Sequence, residues 1–235
     1  PVEAVDTAWQ TPLVIDPFKV PLSEKLDLLF RIDEVLRKDP RIRIAESGAG
    51  CARERQWLAT SEGAFIDQTL TRTGAGYSVT AVEGAEVQTR SYPMSFGGQS
   101  MGMGYELVRS LDLIENAERT REEAVALLSA KPCPAGKKTL ILDGTQLALQ
   151  IHESVGHPSE LDRVLGIEEN YAGRSFLTTE KLGRFRFGSD RVTLMADSTV
   201  PGGLATFGYD DDGVRAQRWP IVERGRFVGY HTNRE

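Results

Sequence analysis

Cysteine is nearly missing from this chain: Cys51 and Cys133 stand far apart and form no Cys-x-x-Cys pattern. That excludes a disulfide framework and a ribbon-type zinc site, and it fits a reducing, cytoplasmic setting. No apolar run approaches the length of a membrane span, so no membrane partner is expected. The opening "PVEAVDTAWQ" has neither the basic nor the apolar region of a secretory signal. Basic charge is not in excess either. The 28 Lys and Arg are scattered among 34 Asp and Glu, for a net charge of −6. Direct nucleic-acid binding needs a basic face to neutralise phosphate, and is not expected here. Histidine is scarce, with three in 235 residues, and two of them fall inside one hexapeptide.

What is present is ordinary globular material. With 40% apolar and 26% charged residues, the chain is long enough for one large or two small domains. It begins with proline, not methionine, and its end, "RFVGYHTNRE", reads as a strand running to the last residues. An internal piece of a longer protein is therefore expected.

The periodicity suggests an α+β fold. After a lead-in punctuated by Pro12, Pro17 and Pro21, apolar Leu22, Leu26, Leu29, Ile32, Val35 and Leu36 recur at helical spacing, with Ser23 able to cap the start and Pro40 ending the pattern. From Arg41 to Tyr92 the runs "RIRIAESG", "ERQWLATSEG", "AFIDQTLTRTG", "GYSVTAVEG" and "AEVQTRSY" alternate between Ser-Gly, Glu-Gly and Gly-Ala turns, as in an antiparallel meander of five strands. The loop "GGQSMGMG" lacks the Gly-Lys-Ser/Thr ending of a phosphate loop and reads as flexible. Two helices are expected around 105–116 and 120–130, the second opened by a Thr120/Glu123 capping box. "KPCPAGKK" is the best boundary, which divides the chain into an N-terminal α+β domain (1–136) and a mixed β-rich domain (137–235). In the latter, "TLILD" reads as a buried strand leading to the helix that carries the histidines. A long polar connection over 158–190 follows, of a kind often functional. "RVTLMAD", "VRAQRWPIVE" and "RFVGYHT" read as strands, with "RGR" as a hairpin turn, and "DDDG" reads as turn chemistry.

The chemistry concentrates in "QIHESVGHPSELD". Zinc peptidases hold two neutral imidazoles on one metal and place a carboxylate beside the bound water. In H-E-x-x-H the histidines are about 40° apart around the helix. His152 and His157 are five apart, roughly 140° on a regular helix, and could not both reach one metal. Two departures would repair this. Gly156 can end the helix as a left-handed cap ahead of Pro158, or one π-type turn with i to i+5 closure can realign the rings. Glu153 then stands where a general base is needed. Leu147, Ile151 and Val155 form an apolar face able to bury the helix. The plainer reading is a His-Glu pair complementing a helix C-terminus.

The stretch "KKTLILDGTQLALQIHESVGHPSELDRVLG" resembles the TldD branch of the TldD/PmbA family, which carries H-E-x-x-x-H on a helix after a buried strand. "STVPGGLATFGYDDDGV", "GRFVGY" and "SYPMSFGGQS" with the following "GYE" are similar to that family too. The PmbA-type sister subunit typically lacks the histidine motif. The resemblance implies a cytoplasmic zinc peptidase acting on unfolded or propeptide-like chains, as a homodimer or paired with a PmbA-type subunit. It implies His152 and His157 as zinc ligands and Glu153 as the catalytic base. Its third ligand is a downstream cysteine, and this chain has none after Cys133, which puts that ligand beyond residue 235. Glu160, Asp162 and His231 are the local substitutes. Of these, Glu160 is read as the carboxylate partner that a ligating histidine needs, His231 as an ordinary strand residue, and Cys133 as structural. An unfolded substrate is read through its backbone, which addition to a sheet edge would supply. The rival readings are a non-enzymatic regulator or adaptor of the DNA-gyrase-modulator type, and an inactive structural subunit.

Overall fold

The computed structural model describes residues 4–234. Its larger sheet is built on one long hairpin, β2 (Ile42–Ala59) and β3 (Phe65–Glu83). β2 pairs with β3 along its whole length, and the opposite edge of β3 takes β1 (Asp6–Gln10), β5 (Gln99–Met101) and β4 (Glu86–Tyr92). The sheet has five strands, but not the expected five. The Glu-Gly turn is real; the Ser-Gly and Gly-Ala positions are not turns. They face each other inside the hairpin, as Gly48–Gly76, Ala49–Ala75 and Gly50–Gly74. Residues that permit a turn also permit two backbones without side chains to lie flat, and cross-strand pairing decides between them. β1 joins in parallel, so the sheet is mixed, and "GGQSMGMG" supplies β5 where a flexible loop was expected.

β3 changes its buried face midway. Ile66, Gln68 and Leu70 are buried at even positions, and Thr71, Thr73, Ala75, Tyr77, Val79 and Ala81 at odd ones. Alternate side chains point to opposite faces of a sheet, so its two halves are covered from opposite sides. The odd face packs under α1 (Leu22–Leu36), α2 (Glu106–Ser110) and α3 (Leu113–Leu127), whose Ile32, Leu36, Leu113, Ala117 and Ala124 complete that core. Leu22 and Leu26 of the expected α1 stripe stay exposed. Helix α1 opens after Pro21 with no side-chain cap, so Ser23 lies inside its first turn. The capping box is not formed: Thr120 is buried in mid-α3, donating to the Asn116 carbonyl, and Glu123 pairs with Arg90.

The even face receives the other half of the chain. The buried Gln68 amide donates to the Tyr209 carbonyl at 3.0 Å, and its oxygen accepts from the Gly208 and Tyr209 N–H groups at 2.8 and 3.1 Å. This second half contains β6 (Leu194–Asp197), β7 (Arg218–Glu223) and β8 (Arg226–Phe227) in one antiparallel sheet. Arg224 and Gly225, at φ +46° and +77°, form the β7–β8 turn, the backbone sign that two-residue hairpins favour. Leu177, Ile221, Val222 and Phe227 are fully buried around Val155 and Ala196. The connection over 158–190 is anchored at Leu177, which is in the core and has Tyr230 Oη 2.9 Å from its carbonyl, while Leu165, Ile167 and Tyr171 along it stay exposed. "DDDG" is a turn in which Asp210 Oδ1 accepts from the Asp212 and Val214 N–H groups.

The expected strand "TLILD" is not formed. Leu140 and Ile141 are 75% and 92% exposed, and no described strand pairs with them. A β-propensity run becomes a strand only against a partner.

The Gly48–Gly76 pair offers a test of the hairpin. A Cβ on Gly76 would overlap the Gly98 Cα, whereas one on Gly48 meets nothing within 4 Å. Gly76→Ala is expected to lower stability by about 1–3 kcal/mol and Gly48→Ala to change it by less than about 0.5 kcal/mol, measured by urea unfolding. Equal effects would refute this packing.

Candidate metal centre

Asp143 starts the site. Its carboxylate accepts from the Thr145 hydroxyl and from the Thr145 and Gln146 N–H groups, which holds it below the usual carboxylate range and caps α4 (Gly144–Ile151). At His152 the helix widens into a π-turn over His152–Gly156, where the His157 N–H donates to the His152 carbonyl. Gly156 keeps a right-handed backbone (φ −54°, ψ −73°), and His157 to Ser159 continue as a 3₁₀ turn. Of the two repairs open to the sequence, the structure takes the added residue in the turn; the left-handed cap at Gly156 is not formed.

The consequence is convergence. The His152 and His157 rings lie edge to face, with centroids 4.3 Å apart and Nε2 atoms 2.8 Å apart. Glu153 Oε1 is 3.9 Å from His152 Nε2. One donor atom from each of His152, Glu153 and His157 lies within 4.8 Å of the others. Among the described residues this is the grouping able to hold a metal; Asp162 and His231 stand outside it. Asp162 is exposed and accepts from the adjacent Arg163 N–H.

Glu160 is drawn in behind His157. Its Oε1 lies 2.9 Å from His157 Nδ1. A carboxylate there accepts the Nδ1 proton and leaves the Nε2 lone pair free toward His152, the tautomer a metal ligand needs. His157 and Glu160 are each one-third exposed at the side chain, and His152 and Glu153 more than half. The site is therefore open to water on its Glu153 side.

The burial expected for Leu147 and Ile151 does not occur; each is 38% exposed, and only Val155 of that face enters the second core. The segment is instead tied from behind by His231. Its N–H donates to the Ser159 carbonyl at 2.7 Å, its carbonyl accepts from the Leu161 N–H at 2.9 Å, and its Nδ1 meets the Ser159 hydroxyl at 2.8 Å. His231 belongs to no strand and forms a single parallel bridge with Glu160. Nothing in the periodicity marked Ser159 or His231 as partners. Arg163, which grips Glu160, was also missed, although acid-to-base spacing at i, i+3 was a signal available for it.

Comparison with known proteins covers both halves of the chain. Residues 15–130 match the PmbA/TldA metallopeptidase central domain, and residues 135–235 match the PmbA/TldA metallopeptidase C-terminal domain. The chain belongs to the PmbA/TldD metallopeptidase family. A metalloprotease of Methanocaldococcus jannaschii is 31% identical over 94% of this chain and 46% of its own length. One from Methanothermobacter thermautotrophicus is 31% identical over 93% and 45%. The chain thus spans about half the length of these PmbA/TldD relatives. The fold is shared with a candidate modulator of DNA gyrase from Bacteroides thetaiotaomicron, with a TM-score of 0.72 at 18% identity over 92% of this chain and 46% of that one. It is also shared with TldE from Thermococcus kodakarensis, with a TM-score of 0.54 at 18% identity over 88% and 43%. A metallopeptidase family implies a metal ion, and the donors present fit one. Two imidazole nitrogens with a carboxylate beside them suit a transition metal such as zinc, and a carboxylate at Nδ1 favours the tautomer such a ligand requires.

His231 carries a pH dependence. Burial holds its imidazole below the ordinary value of 6.5, with the Gly156 backbone and then the Glu160 carboxylate acting in the opposite sense. A depressed histidine favours the neutral ring in the folded chain. Its contribution to stability is therefore whole above pH ~6.5 and is lost as pH falls through the folded value. In metal-free protein, His231→Asn is expected to flatten the fall of the urea midpoint between about pH 7.5 and pH 5; an unchanged slope would exclude His231 as its source.

Proposed function

We propose that this chain carries two ligands and the general base of a zinc-dependent peptidase acting on unfolded or propeptide-like chains. The observation that carries the reading is the convergence of His152, Glu153 and His157 donor atoms within 4.8 Å on a π-turn. His152 and His157 would hold the metal through Nε2. A cysteine thiolate beyond the described residues, as the family resemblance implies, would complete a donor set that suits zinc. Zinc bound there supplies Lewis acidity toward water and the scissile carbonyl. Glu153 faces solvent and stands 3.9 Å from His152 Nε2, so it can take the proton of the attacking water and return it to the leaving amine.

The substrate class is supported by a physical argument about backbone recognition. β2 lies at the sheet margin, paired with β3 alone among the described strands, and the outer edge of this 18-residue strand is a surface on which an extended chain can add as a strand. The division into units at 1–136 and 137–235 is supported by the two separate cores. A cytoplasmic homodimer, or a heterodimer with a PmbA-type subunit, completes the proposal. No described helix is long and apolar enough to cross a membrane.

In the full-length protein, Glu153→Gln is expected to cut hydrolysis of an unfolded peptide by about 10²–10⁴-fold while zinc content stays near one per site. Zinc removal by a chelator should abolish cleavage, and zinc should restore it. Cleavage at the parental rate in Glu153→Gln would sink the mechanism, and a full-length chain that takes up no metal would favour the regulatory or structural alternatives.

A further inference from the structure

Glu160 uses both carboxylate oxygens. Oε1 meets His157 Nδ1 at 2.9 Å, and Oε2 meets Arg163 Nη2 at 3.0 Å. The same Nη2 stands 3.6 Å from Glu168 Oε2. Arg163 lies on the short helix α5 (Leu161–Leu165), directly after the bridge that fixes the Glu160 backbone to His231. Its side chain is 18% exposed, against 33% for Glu160 and 39% for Glu168. The guanidinium is thus the most buried member of a charged chain running His157–Glu160–Arg163–Glu168.

We propose that Arg163 is a positioning residue for the metal centre: through Oε2 of Glu160 it fixes the carboxylate that orients the His157 ring. The tautomer that lets His157 ligate through Nε2 excludes a direct hydrogen bond from Arg163 to the ring. Nη2 is 3.4 Å from His157 Nδ1, but with the Nδ1 proton given to Glu160 both atoms are donors and no bond forms between them. Nor does Nε explain the placement, since it is buried and without a hydrogen-bond partner among the described residues. Nη2 is where the side chain makes its contacts, and apart from the His157 ring nitrogen its neighbours there are the ion-paired carboxylates of Glu160 and Glu168, at 3.0 and 3.6 Å. Without Arg163, the Glu160 carboxylate could turn about its terminal torsion, a broad and weakly restrained one, and the Nδ1 contact would lose its fixed direction. Arginine suits the task because its guanidinium stays charged in a largely buried position beside Glu160. Glu168 balances the charge from the far side.

The inference rests on reading His157 as a metal ligand. The test is zinc affinity of the full-length protein, measured by competition with a chromophoric chelator, for Arg163→Met, Arg163→Lys, Glu160→Gln and the double variant Glu160→Gln/Arg163→Met. Outer contacts of this kind typically change metal affinity by about 10–100-fold. Arg163→Met is expected to weaken zinc binding within that range, and Arg163→Lys to lose less. The double variant should bind within about threefold of Glu160→Gln alone, because Arg163 acts through Glu160. Unchanged metal-free unfolding in Arg163→Met would separate positioning from general stability. Parental zinc affinity in Arg163→Met, or losses that multiply in the double variant, would overturn the proposal. Should Arg163→Met not fold, Arg163→Lys takes its place: a loss that vanishes in the Glu160→Gln background supports the proposal, and unchanged affinity refutes it. A chain whose zinc affinity depends on Arg163 but which cleaves no peptide would refute the peptidase reading and keep this one. Zinc affinity indifferent to His157→Ala would overturn both.

Discussion

Two imidazoles five residues apart cannot share one face of an α-helix, and the site depends on how the chain meets that constraint. A regular helix would point His152 and His157 about 140° apart. One residue added to the turn, closed by the His157 N–H on the His152 carbonyl, brings their Nε2 atoms to 2.8 Å. Everything behind the turn keeps it in place. Val155 enters the second core, Ser159 and Leu161 are tied to His231, and Glu160 holds the outer nitrogen of His157. The π-turn is a departure from regular helix whose geometry serves the convergence of donors, as such bulges often do at functional sites.

The larger sheet carries the second half of the chain through β3. Its buried face switches between Leu70 and Thr71, so one strand serves the helical core at its C-terminal end and receives residues 208–209 at its N-terminal end through Gln68. A buried amide with its oxygen and nitrogen both satisfied is directional in a way apolar contact is not. That fixes the approach of the second half to the first, while the rings of Phe176, Phe185 and Phe187 contact one another in the irregular connection beyond the histidines.

Much of this was legible in the residues. The apolar spacing from Leu22 to Leu36 gave helix α1, "RGR" gave the β7–β8 turn, and the need of a ligating histidine for a carboxylate partner singled out Glu160, which lies against His157. Other features were not legible, for physical reasons. Gly48, Gly50, Gly74 and Gly76 look like turn residues until they pair across a hairpin. Thr120 and Glu123 have capping-box spacing but lie within a helix that begins at Leu113. Leu140 and Ile141 have strand propensity but find no partner strand among the described residues.

By itself the sequence determined an α+β chain with ordinary globular patterning. It also determined the identity and spacing of the groups capable of metal chemistry, because residue type and interval along the backbone are local properties. It left open whether Gly156 would end the helix or the turn would widen, since both satisfy the same local preferences. Only the tertiary structure decided that. Burial of Val155 and the contacts of Ser159, Glu160 and Leu161 with their surroundings come from residues distant in the chain, above all His231. Their summed energy selects one backbone path from two that are nearly equal locally.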